Sequence, residues 1–112
     1  MQYIKIAKTS DFANRKYKSF SLLGKKIGVF REGNGGFYAM EVHCKHQNAD
    51  LLASRPTGDI VTCNRHGWQF NLKTGACLTP GQEWAKLRRF PLKIEGEAIF
   101  VCPTPLEEDA TP

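Results

Sequence analysis

Long apolar runs are absent. The opening residues MQYIKIAKTSDF come nowhere near the roughly 20 apolar residues of a membrane span, so neither a signal peptide nor an anchor is expected and the cytoplasm is the expected address. Internal repeats and low-complexity tracts are also lacking, which sets aside solenoids and fibrous chains. No run of five or more like charges occurs, and helical periodicity is weak throughout, so no basic arm or recognition helix for nucleic acid is present. Cysteine is scarce, with four in the chain, as is histidine, with three. In a reducing compartment so few thiols suit metal ligation or burial as small apolar residues better than a disulfide framework.

Hydrophobic residues make up 41% and charged residues 24%, the balance of an ordinary globular domain. At 112 residues the chain is one small domain near the lower end of what buries an adequate core unaided, so a bound group that cross-links two loops would help it. Net charge is +5, and +8 without residues 104–112, where Glu107, Glu108 and Asp109 stand with no base. That segment, TPLEEDATP, holds two prolines and one large apolar residue and reads as a flexible acidic tail.

Period-2 alternation and closely spaced turn signals predict an all-β domain. Strands are expected over 19–23 and 26–30 with a turn at Gly24-Lys25, over 37–40 running into the first cysteine, over 60–62 running into the second, over 68–71, and over 89–94 and 98–102 as a closing hairpin. Residues 50–54 and 81–87 are candidates for short helical turns. Cysteine and histidine then fall on loops at strand ends, where a rigid sheet can hold irregular backbone, and function is expected at one tip.

The pattern that carries chemistry is Cys44-Lys45-His46 and, sixteen residues later, Cys63-Asn64-Arg65-His66, followed by Gly67-Trp68. Two facing loops with this content supply two sulfurs and two ring nitrogens, a set that suits tetrahedral zinc or an iron-sulfur cluster with histidines on one iron. Zinc sites usually pair like ligands in one segment around a single point. A mixed pair on each loop lets both loops straddle two metals, so the spacing favours the cluster while leaving structural zinc as the alternative.

The stretch CKHQNADLL…GDIVTCNRHGWQFNLKTGACLTPG resembles the Rieske ferredoxins and Rieske domains, and the likeness runs on through Phe70, the Thr74-Gly75 turn, Pro80 and the closing hairpin. It implies the Rieske fold, an antiparallel β-sandwich with a small cluster-binding subdomain at about 41–83 within a domain of residues 1–103. It also implies one 2Fe-2S cluster, with Cys44 and Cys63 on the buried iron and His46 and His66 on the outer one. Lys45, Gln47, Arg65, Gly67, Trp68 and Pro80 are then the cluster environment, Pro80 on a third loop. Box two departs from many members in having Asn64-Arg65 in place of Pro and an apolar or aromatic residue.

Rieske proteins of cytochrome bc complexes carry an extra cysteine in each box; Ala49 and Arg65 occupy those positions here, which excludes that disulfide. Trp68 replaces their serine, whose hydroxyl donates to the cluster. With that donor lost, the potential is expected near the low end of a range of roughly −150 to +300 mV. Lys45 and Arg65 would oppose this only weakly, since a unit charge about 8 Å away in water is worth about 0.5 kcal/mol, on the order of 20 mV.

The expected role is a soluble one-electron carrier, not an enzyme, between a flavin-dependent reductase and an acidic acceptor such as an oxygenase. It is expected as a monomer that binds neither nucleic acid nor membrane. Lys45, Gln47, Arg65, Trp68 and Arg55 are the expected docking ring. The alternative role is the small Rieske subunit of a nitrite reductase, which would co-purify with a sirohaem enzyme. His43, Cys77 and Cys102 read as structural side chains, and Lys86, Arg88 and Arg89 as a solvated loop edge.

Overall fold

A computed structural model describes residues 2–43, 51–54, 56–63 and 67–104. Nine antiparallel strands are present among them: β1 (Ile4–Lys8), β2 (Tyr17–Leu22), β3 (Lys25–Arg31), β4 (Phe37–Glu41), β5 (Ile60–Thr62), β6 (Gln69–Asn71), β7 (Arg89–Phe90), β8 (Leu92–Glu95) and β9 (Ala98–Val101). They form a four-stranded sheet in the order β2-β3-β4-β7, a three-stranded sheet in the order β1-β9-β8, and the separate hairpin β5-β6. The expected all-β class holds, and the two helical candidates shrink to single 3-10 turns at Leu51–Ser54 and Glu83–Ala85.

The four-stranded sheet is the middle layer. In β3, Ile27, Gly28, Val29 and Phe30 are all buried, because successive side chains point to opposite faces and both faces are covered. Ile27, Val29 and Ala39 pack with Ala7, Ile99 and Val101 of the three-stranded sheet, which makes a sandwich. On the opposite face Phe30, Met40 and Val42 pack with Leu51, Val61, Cys63, Phe70 and Leu87, so the β5-β6 unit docks there with a core of its own. Gly28 allows this closeness: a Cβ at that position would lie 2.7 Å from Val42 Cγ1.

Several expectations are corrected. The β2-β3 turn is Leu23-Gly24, with Leu22 opposite Lys25; φ values of 51° and 78° make it a two-residue type I′ turn, matched to the twist of the strands it joins. The expected strand over 89–94 divides at Pro91, which has no N–H for a ladder. Before it β7 pairs with β4, and after it β8 pairs with β9, so the chain changes sheet at the proline. Trp68 stands just outside β6. An additional strand, β1, closes on β9 and leads into a 3-10 turn at Thr9–Phe12, where Asp11 Oδ2 accepts from the Lys8 N–H and Phe12 is fully buried. Residues 105–112, most of the expected acidic tail, lie outside the described residues.

Candidate metal centre

Both predicted ligand loops spring from one core and are pinned at their bases. Beyond β4, the Val42 N–H donates to the Lys26 carbonyl, and the Val42 carbonyl accepts from the Leu51 N–H at 2.7 Å. That second bond closes the segment containing Cys44, Lys45, His46 and Gln47. Beyond β5, the Cys63 N–H donates to the Trp68 carbonyl at 2.7 Å and its carbonyl accepts from the Gly67 N–H at 2.8 Å. The second box is therefore the tip of the β5-β6 hairpin, turned by Gly67 at φ +73°, a conformation that favours glycine. Leu51, Leu52, Val61 and Cys63 share one core, so the two loop bases are neighbours.

Of the four predicted ligands, Cys63 is described; Cys44, His46 and His66 lie outside the described residues, as do Lys45, Gln47, Arg55 and Arg65. Cys63 is 1% exposed among apolar side chains. Burial disfavours an isolated thiolate, whereas a metal stabilises one outright, so a soft sulfur at a pinned loop base beside a second pinned loop fits an iron-sulfur group. His43, next to the first box, is half-buried, and its Nδ1 has no hydrogen-bond partner among the described residues.

A third segment flanks this tip. Phe70 bridges Cys77, the Leu78 N–H donates to the Gln69 carbonyl, and Thr79 Oγ1 accepts from the Gln69 N–H at 3.0 Å, which ties this segment to β6; Pro80, next along the chain, is exposed. From the same segment Trp84, 64% exposed, meets Trp68 edge to face at 5.8 Å. Trp68 also packs against the core beneath, so packing is part of its role. Sequence reasoning missed Trp84, because spacing does not reveal which tryptophan a one-turn 3-10 segment leaves outside. Cys77 and Cys102 are buried thiols without disulfides, as expected.

Glu41, 2% exposed, braces the root of the first loop: its Oε1 accepts the Arg88 N–H at 3.0 Å and lies 3.7 Å from Arg88 Nε. Arg89 is equally committed, with its guanidinium 4.6 Å from the centre of the Tyr38 ring and Nη2 donating to the Lys73 carbonyl. Two of the three cations at the expected loop edge thus tie layers together. Burial pushes the Tyr38 phenol above its ordinary pKa, with Arg89 partly opposing, so the hydroxyl stays protonated and donates to the Leu72 carbonyl at 2.8 Å.

The family described as Rieske [2Fe-2S] domain matches residues 2–91. The oxidoreductase NdmD of Pseudomonas putida is 29% identical over 99 residues, covering 82% of this chain and 17% of that protein. The ferredoxin component of the alkene monooxygenase system of Xanthobacter autotrophicus (strain ATCC BAA-1158 / Py2) is 26% identical over 110 residues, covering 97% and 88%. One chain of a solved complex of reduced oxygenase and oxidized ferredoxin in carbazole 1,9a-dioxygenase superposes with a TM-score of 0.72 at 26% identity, covering 93% of this chain and 95% of that one. The chain spans under a fifth of the first of these relatives and most of the second.

Proposed function

The chain belongs to the Rieske [2Fe-2S] domain family, which implies one Rieske-type 2Fe-2S cluster, and from that premise we propose that it is the ferredoxin of an oxygenase system, passing single electrons from a flavin-dependent reductase to an acidic acceptor. The observation that carries this reading is the pair of pinned loops on one core, with buried Cys63 at the root of the second. Cys44 and Cys63 would hold the inner iron, and His46 and His66 the outer iron. The cluster supplies reversible one-electron chemistry when bound. The protein would supply the seat: the β5-β6 hairpin would hold the second box, the Val42 to Leu51 bond the first, and Trp68 and Pro80 would flank the cluster.

The likeness to an oxygenase-system ferredoxin over most of both chains supports a carrier. No helix among the described residues is long and apolar enough to cross a membrane. A cytoplasmic monomer, with a cluster-binding subdomain at about 41–83 and a flexible acidic tail at 104–112, completes the proposal. Lys45, Gln47 and Arg65 would face the partner, and the charge of Lys45 and Arg65 would make association slow as salt rises.

Because Trp68 provides no hydroxyl, the cluster has a low potential. Redox titration of the pure protein is expected to give a midpoint near the low end of the Rieske range; a value above about +150 mV would contradict this reading.

A further inference from the structure

A groove of about 700 Å³ opens where the four-stranded sheet meets the base of the β5-β6 unit, at the end of that hairpin away from Cys63. Its floor is a cross-strand ladder. Tyr17 pairs with Phe30, and Phe30 with Tyr38, their ring centroids 6.1 and 4.9 Å apart. Gly33 and Gly58 stand in the walls, and a Cβ at either would meet nothing within 4 Å, so the walls are bare there. The size lies within the range of small-molecule sites.

The rim carries Lys16, Arg31, Lys73 and Arg89 against Glu32 and Asp59. Lys73 is 3.9 Å from Asp59, and Arg89 is occupied by the Tyr38 ring and the Lys73 carbonyl. Lys16 and Arg31 are exposed and make no ion pair among the described residues, while the backbone bond from the Arg31 N–H to the Lys16 carbonyl at 2.8 Å holds them side by side. Glu32 follows Arg31 in the chain and Asp59 is engaged with Lys73, so two cations face one acid at the Lys16 and Arg31 end. An aromatic floor with two available cations at one end suits a planar ring bearing a carboxylate: the ring packs against the half-buried Tyr17 and Tyr38, and the carboxylate accepts from the guanidinium and ammonium.

We infer that this groove is a binding site for small aromatic carboxylates, separate from the metal centre. Calorimetric titration of sodium benzoate into the cluster-loaded protein tests it, with acetate and benzyl alcohol as probes that lack the ring or the charge. Benzoate is expected to bind saturably at one site, with both other probes weaker by about tenfold. Arg31→Gln and Lys16→Gln are expected to weaken benzoate by about fivefold to tenfold through loss of a charge-assisted hydrogen bond, and Glu32→Gln to tighten it. All three substitutions alter side chains at a strand end or turn, and an unchanged visible spectrum verifies the fold. Absence of saturable binding, acetate binding as well as benzoate, or affinity unchanged in Arg31→Gln would overturn the site.

Discussion

His66→Ala and His46→Ala are each expected to abolish the reduced-state EPR signal of the protein. The proposed outer iron has only two protein ligands, so each substitution removes half of them, and alanine offers no replacement donor. The inner half of the site is different in kind: Cys63 lies in the core, and Cys63→Ser replaces a buried soft sulfur by a hydroxyl, which prefers neither the iron nor the apolar surroundings. The histidine variants therefore isolate ligation from packing. A spectrum unchanged in either would refute the ligand assignment. Loss of the cluster is also expected to lower stability, because it would cross-link the two loops whose bases are pinned by the Val42–Leu51 and Cys63–Trp68 bonds.

The largest effect away from the ligands is expected at Gly75. Its φ of +81° is unfavourable for any residue with a Cβ, and a Cβ there would lie 2.5 Å from the Leu87 carbonyl oxygen and 3.1 Å from Met40 Sδ. Backbone cannot swing aside as a side chain can. The Gly75 N–H donates to the Asn71 carbonyl and its own carbonyl accepts the Leu87 N–H, both at 2.7 Å, while Asn71 Oδ1 accepts from the N–H groups of Lys73 and Thr74. This turn fastens the end of β6 to the segment entering β7. Gly75→Ala should cost on the order of 3 kcal/mol, the sum of left-handed strain and overpacking. Gly33→Ala, with open space around it, should stay within about 0.5 kcal/mol. Urea unfolding of the two variants provides the comparison, and a loss below about 1 kcal/mol in Gly75→Ala would contradict the packing described.

Local signals were legible where a two-residue period met a turn. β5 lies at residues 60–62 as expected, and β3 and β4 differ from expectation only at their ends. Less legible was the decision made at Pro91: the alternation continues through it, yet the missing N–H sends the halves to different sheets. In β1, Ile4 and Ile6 alternate with lysine and were visible, but so short an edge strand gains its identity from β9, nearly a hundred residues away. Leucine at φ 51° in the hairpin turn defies turn chemistry, which favours Asn or Asp there. The ligand boxes were read from spacing, whereas the bonds that pin them, such as Leu51 to Val42, belong to tertiary structure and leave no mark in the boxes themselves. The groove over Tyr17, Phe30 and Tyr38 is likewise a product of register between three strands.

Paired cysteine-histidine loops rooted in one buried core are proposed to hold a two-iron cluster. Chemical analysis of the purified protein for iron, acid-labile sulfide and zinc tests it most directly. A coloured protein with iron and sulfide in equal amounts is expected. A colourless protein with zinc, and with neither iron nor sulfide, would contradict it.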